Sequence, residues 1–113
     1  MKLPKGHRAI VDITKLRDYC LSTDHEEGKH KARVFACALG VRAAHAEWLR
    51  EQLLKAAARA EASPTSRTRF GSLYVPDFEL KTEAGTVTVR SGWIIRHNEE
   101  VPRLTTCYVR QKQ

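Results

Sequence analysis

The residues best suited to handle a phosphodiester are His25, His30 and Lys31 in one short segment, with Arg90, Arg103 and Thr106 far downstream. Cutting RNA without a metal needs a base for the 2′-hydroxyl proton, an acid for the leaving oxygen, and cations that stabilise the crowded phosphate. His25 stands in a polar turn with Asp24, Glu26 and Glu27, and histidine is the side chain that changes charge near neutral pH. Either His25 or His30 is expected to supply the acid or base, and the plain alternative for each is a surface histidine with no such role. Lys31 is placed more informatively. It precedes Val34 by three residues and Phe35 by four, so it lies on the apolar stripe Val34, Phe35, Ala38 and Leu39, while Lys29 and Arg33 point away. An ammonium aimed at a buried face is costly unless it meets an anion, and phosphate is the simplest guest. The alternative is a stem that runs along the apolar face and ends in water.

The expected catalytic set is therefore His25, His30, Lys31 and Thr106, with Thr106 near the ribose. The expected substrate-binding cations are Arg90, Arg103, Arg33, Arg67 and Arg69, the last two in a loop suited to capturing a backbone. No Cys-x-x-Cys or paired-histidine spacing suggests a metal site, and no cofactor is expected. Trp93 reads as core rather than as a base-stacking platform.

These residues must be positioned by helices first and strands afterwards. Asp12 or Thr14 can cap a short helix through Lys15–Tyr19, and an irregular turn is expected from Thr23 to Gly28. A second helix follows from about Lys29 to Leu39, closed by a left-handed Gly40. A third spans about Ala43 to Glu61, with Leu49, Leu53, Ala56, Ala57 and Ala60 on its apolar side. Residues 62–70 read as a loop. Strands are expected over Leu73–Leu80, which Pro76 confines to an edge or a bulge, over Thr86–Arg96, and over Arg103–Arg110.

In the middle strand, Val87, Val89, Trp93 and Ile95 share one face, which helices two and three should cover, and Thr88, Arg90 and Arg96 share the reverse. The last strand alternates evenly between two parities. The class is α+β, N-terminal helices (9–61) packed on one face of a C-terminal antiparallel meander (71–110), in a single domain over 1–113.

The bulk numbers agree with a nucleic-acid partner. Twenty Lys and Arg against thirteen Asp and Glu give a formal +7, which favours polyanions, RNA first among them. No apolar run approaches a membrane span, and the opening Met1–Gly6 lacks a signal-peptide core, so no membrane partner and a cytoplasmic site of action are expected. The C-terminal piece of a larger secreted protein would read the same. Three cysteines, Cys20, Cys37 and Cys107, suit a reducing compartment.

Leu3-Pro4, Lys15-Leu16, Tyr19, the run His25 to Phe35 with Gly28, Lys31 and Ala32, Leu39-Gly40, Trp93, and Pro102-Arg103-Leu104 with Thr106 together resemble a small bacterial toxin-associated domain family. That family occurs as short free-standing genes beside antitoxin-like genes and at the C-termini of polymorphic, filamentous-haemagglutinin-type toxins. The layout also resembles, by topology, the ribonuclease superfold of barnase, colicin nucleases and RelE-type toxins. The resemblance implies a metal-independent endoribonuclease toxin, with transfer RNA as the first substrate to test and an acidic antitoxin or immunity protein as partner. It carries His25 and Lys31 as motif residues, joined by Arg103 and Thr106. Glu26 and Glu27 depart from it, standing where the family commonly has His-Pro. A non-catalytic nucleic-acid-binding or partner-binding module of such a system is the alternative.

Overall fold

The computed structural model describes residues 2–110. A 3-10 turn, Gly6–Arg8, leads to Ile10, whose backbone bridges in parallel to Arg103 and so seals the start of the last strand. Asp12 is the cap that the sequence offered, its Oδ1 accepting from the Thr14 N–H at 3.0 Å. The helix that it opens, α1 (Ile13–Lys15), widens at once into a π-helical turn, Leu16–Cys20. Leu16 and Cys20, four apart, are both buried, which leaves Tyr19 half-buried at the flank.

Helix α2 (Lys29–Leu39) follows the irregular turn as expected and buries Ala32, Phe35 and Leu39. Gly40, at φ 69°, closes it in the left-handed conformation that glycine adopts without steric cost. Helix α3 (Ala46–Arg59) is shorter than the pattern implied: Ala43–His45 form a 3-10 turn before it, and Ala60 is extended because Glu61 bridges to Lys2. Its apolar side is the expected one, with Leu49, Leu53, Ala56 and Ala57 buried. Of the two long helices, α2 lies against the sheet, whereas α3 approaches most closely the N-terminal turns and α1. The expectation that both lie directly on the strands therefore holds for α2.

The strands are β1 (Pro64–Thr68), β2 (Gly71–Tyr74), β3 (Asp77–Thr82), β4 (Gly85–Arg96) and β5 (Arg103–Val109), all paired antiparallel. The loop expected over 62–70 is corrected by β1. Every residue of β1 is exposed, so no apolar alternation announces it, and it is held by backbone pairing to β2 and by the Thr65 and Thr68 hydroxyls. β2 and β3 line one edge of β4 in succession, broken at Val75-Pro76, where the Pro76 carbonyl still accepts from Ser91 N–H. β5 takes the other edge.

The register of β4 with β5 slips between Gly92 and Trp93, so Thr105 is an extra residue, a β-bulge. The bulge settles the parity of β5: Leu104 before it and Cys107 and Val109 after it all face the core. Val89, Trp93, Phe35, Leu16, Leu49 and Leu53 form the centre of one continuous core. The Trp93 indole N–H is satisfied by Ser91 Oγ at 2.9 Å. Among the described residues no helix is long and apolar enough to cross a membrane.

Candidate functional site

Lys31 leaves the first turns of α2 on its inward stripe and ends at the outer strand. Its ammonium donates to Tyr19 Oη at 2.9 Å and to Thr106 Oγ1 at 3.0 Å. It also lies 4.8 Å from the Tyr19 ring centre and 5.5 Å from that of Tyr108. Three elements thus converge on one nitrogen: the π-turn, α2 and β5.

Gly28 permits the convergence, because a Cβ there would stand 2.1 Å from the Tyr19 carbonyl oxygen. Among the described residues no carboxylate pairs with Lys31. Hydroxyl oxygens and ring faces hold a half-buried ammonium without neutralising it, each ring contributing on the order of 0.5–1 kcal/mol. Among the described residues two of its three N–H groups are used, which leaves one for an anion.

His25 is tied down differently. Its Nδ1 accepts from the backbone N–H of Glu27 and of Gly28, both at 3.0 Å, and its carbonyl accepts from Lys29 N–H. The ring meets Tyr19 edge-on, with centres 4.7 Å apart. A nitrogen that accepts two amide protons carries none itself, so this network assigns the hydrogen to Nε2. In this arrangement His25 caps the turn into α2 and presents Nε2–H; of the two roles expected from the sequence, acid or base, a donor is the one this tautomer offers.

His25→Asn, which keeps a capping acceptor, is expected to fall within ~0.5 kcal/mol of the wild type in urea unfolding, whereas His25→Ala loses ~1 kcal/mol. Equal losses in the two variants would show that the ring is not the cap. His30 is exposed in the first turn of α2.

Of the expected cations, Arg90 comes nearest the cluster. It faces Tyr108 directly across the β4–β5 ladder, so the two side chains stand on the same face of the sheet. It also grips Asp77 through two hydrogen bonds of 2.9 and 3.2 Å, and Arg110 reaches the same carboxylate at 2.9 Å. These bonds, Arg90's first, hold the Asp77 carboxyl below its ordinary value of 3.8.

A carboxylate lowered by folding stabilises above its unfolded pKa and loses that contribution as pH falls through the folded one. Asp77→Asn should therefore be less stable than wild type by ~1 kcal/mol at neutral pH, and the gap should begin to close near pH 3.8 and vanish in stronger acid. Acid titrations of unfolding free energy would check this.

Arg103 is engaged elsewhere, holding Glu99 at 2.7 to 3.1 Å, with Arg96 also facing that carboxylate. Arg33 is exposed on α2, Arg67 lies on exposed β1, and Arg69 stacks at 4.9 Å on exposed Phe70. None of these four touches the Lys31 cluster among the described residues.

Two further features frame the site. Beside His25 lies a cleft of about 590 Å³ whose walls carry Asp12, Asp18 and Glu27 with Lys15, Asp18 being paired to Arg17, so its lining disfavours an anion. A phosphate bound to Lys31 is thereby favoured on the Tyr108 and Arg90 side. Beneath the amine, Cys20 and Cys107 are fully buried, and Cys20 Sγ lies 4.0 Å from Thr106 Oγ1. A hydrogen bond from Cys107 makes Cys20 the more acidic thiol, while that bond and burial push Cys107 up.

The family model that matches describes a domain of unknown function, DUF6883, and it covers residues 2–111. The chain belongs to the DUF6883 family. No curated protein matches it, and no solved structure does. Roles within the site accordingly rest on its geometry. Among the described residues no group of three or more His, Cys, Asp or Glu side chains is gathered as a metal cage.

Of the expected site residues, the fold joins Lys31 and Thr106 directly, sets Arg90 next to them through Tyr108, and links His25 through the Tyr19 ring. Tyr19 and Tyr108 as partners of the amine, and Gly28 as the contact that admits it, were not assigned from sequence. The signal available was Tyr19 itself, two aromatic faces being a common way to hold a cation.

Proposed function

We propose that the protein is a metal-independent endoribonuclease, acting as the toxin of a toxin–antitoxin or toxin–immunity pair. The single observation that carries this reading is the half-buried Lys31 ammonium, held by two hydroxyls with no carboxylate beside it among the described residues, where α2 meets the edge strand. In the reaction a ribose 2′-oxygen attacks the adjacent phosphorus and the P–O5′ bond breaks, leaving a 2′,3′-cyclic phosphate and a 5′-hydroxyl.

Lys31 stabilises the charge on the phosphorane, Thr106 lies by the ribose, and Arg90 holds a neighbouring phosphate. The Tyr19 hydroxyl, which accepts from Lys31, gives its own proton to the leaving oxygen. His30 takes the 2′-hydroxyl proton, and His25 keeps its Nε2 proton, which it offers as a hydrogen bond. The +7 charge suits both RNA and an acidic inhibitor, whose association it would speed. The site of action is the cytoplasm of the cell that is attacked or arrested, with transfer RNA the substrate class to test first. Helices followed by an antiparallel meander support the likeness to the ribonuclease superfold as topology alone.

Purified protein incubated with total RNA in EDTA should cleave it, and the Lys31→Met variant should not; intact RNA with the wild type would overturn the reading. A second reading is favoured by the doubly occupied Nδ1 of His25: a nucleic-acid-binding or partner-binding module without catalysis. Expression separates the two, since a nuclease arrests growth unless its inhibitor is co-expressed and a binding module does not.

A further inference from the structure

Tyr108 has no part in the chemistry just described, yet its ring lies beside the Lys31 ammonium and opposite Arg90. It is half-buried on β5, with the Lys31 ammonium 5.5 Å from its ring centre. Arg90 is its direct cross-strand neighbour. Arg110, two residues along the chain, shares the Asp77 carboxylate with Arg90. One carboxylate thus stands among three cations that follow the line of the strand past an aromatic ring.

Cations flanking an aromatic ring are what a single-stranded nucleic acid requires: charges that track the backbone and a π-face for an unpaired base. A duplex keeps its bases stacked on one another and offers none. The cleft lined by Tyr19, His25, Asp12, Asp18 and Glu27 is the less favourable path for a backbone.

We propose that Tyr108 is the stacking platform for one unpaired base of a single-stranded nucleic acid, with Lys31 taking the phosphate on one side of that base and Arg90 with Arg110 the phosphate on the other. The proposal rests on Lys31 being a phosphate ligand and adds the strandedness of the substrate and the residue that reads it.

The test uses a short, labelled, all-2′-deoxy oligonucleotide, which cannot be cut by attack of a 2′-oxygen, and follows its binding by fluorescence anisotropy. The wild type should bind the single strand more tightly than the same sequence as a duplex. Tyr108→Phe, which keeps the ring, should retain that affinity within a few-fold. Tyr108→Ala and Tyr108→Leu should weaken it about tenfold to a hundredfold, the range expected for one stacked base. Tyr108→Leu keeps a strand-forming bulk, so the result stands even where Tyr108→Ala fails to fold.

The platform is overturned if Tyr108→Leu binds like wild type, if the duplex binds as well as the single strand, or if polyglutamate competes as effectively as nucleic acid. If binding depends on Lys31 but not on Tyr108, only the platform fails. If the wild type binds no nucleic acid, the phosphate-site reading fails with it.

Discussion

Lys31→Met is expected to lower RNA cleavage about a hundredfold to a thousandfold while leaving unfolding free energy within ~1 kcal/mol of wild type. The two halves of this result come from the same geometry. The amine has hydroxyl and π partners and no carboxylate among the described residues, so its positive charge is not part of an ion pair that would collapse on removal. Methionine fills a similar volume along the apolar stem and avoids the cost of partly burying a charge. The Tyr19 and Thr106 hydroxyls left behind are half-buried and can turn to water. Catalysis, in contrast, loses its principal stabiliser of the phosphorane. Cleavage kinetics and urea unfolding on the same preparations would check both halves. A variant that lost several kcal/mol of stability would identify the amine as a structural fastener instead.

Gly28→Ala is expected to destabilise by ~1–3 kcal/mol and to weaken the site along with the fold. The sign is the informative part. Gly28 has φ −84° and ψ −17°, an ordinary right-handed conformation, so on propensity alone alanine would strengthen the start of α2. What opposes it is contact: the new Cβ would stand 2.1 Å from the Tyr19 carbonyl oxygen and 3.2 Å from Tyr19 Cδ1. Relief requires the π-turn and α2 to separate, which lengthens the 2.9 Å bond between Lys31 and Tyr19. Thermal melting together with cleavage assays would reveal the paired loss; a stabilised variant would contradict the close approach.

Much of the architecture was legible because local rules and the global fold agree. The limits of α2, the left-handed Gly40, the buried side of α3 and the alternation of β4 all follow from periodicity and glycine chemistry. Where the pattern misled, a physical reason can be given. β1 is exposed along its whole length, so no side chain reports its pairing. The parity of β5 was undecidable because Thr105 interrupts it, putting Leu104 and Cys107 on the same side.

The site was half legible. Lys31 could be aimed from its helical spacing alone. Thr106 could be grouped with it although it stands 75 residues away, whereas Tyr19 could not, since it reaches the amine only through the π-turn. The sequence points to His25 as a proton carrier because histidine is an uncommon cap, Ser, Thr, Asp and Asn being the usual ones. Only the placement of its Nδ1 against two amides reveals that work.

The most direct test of an anion pocket at Lys31 is the dependence of binding on salt. Affinity for an all-2′-deoxy single strand should be measured across a series of salt concentrations for wild type and Lys31→Met, and log affinity plotted against log salt. An ammonium that takes one phosphate gives the variant a lower affinity and a slope shallower by about one. Coincident lines for the two proteins would mean that the amine engages no phosphate, and the nuclease proposal would then have no anion pocket at its centre.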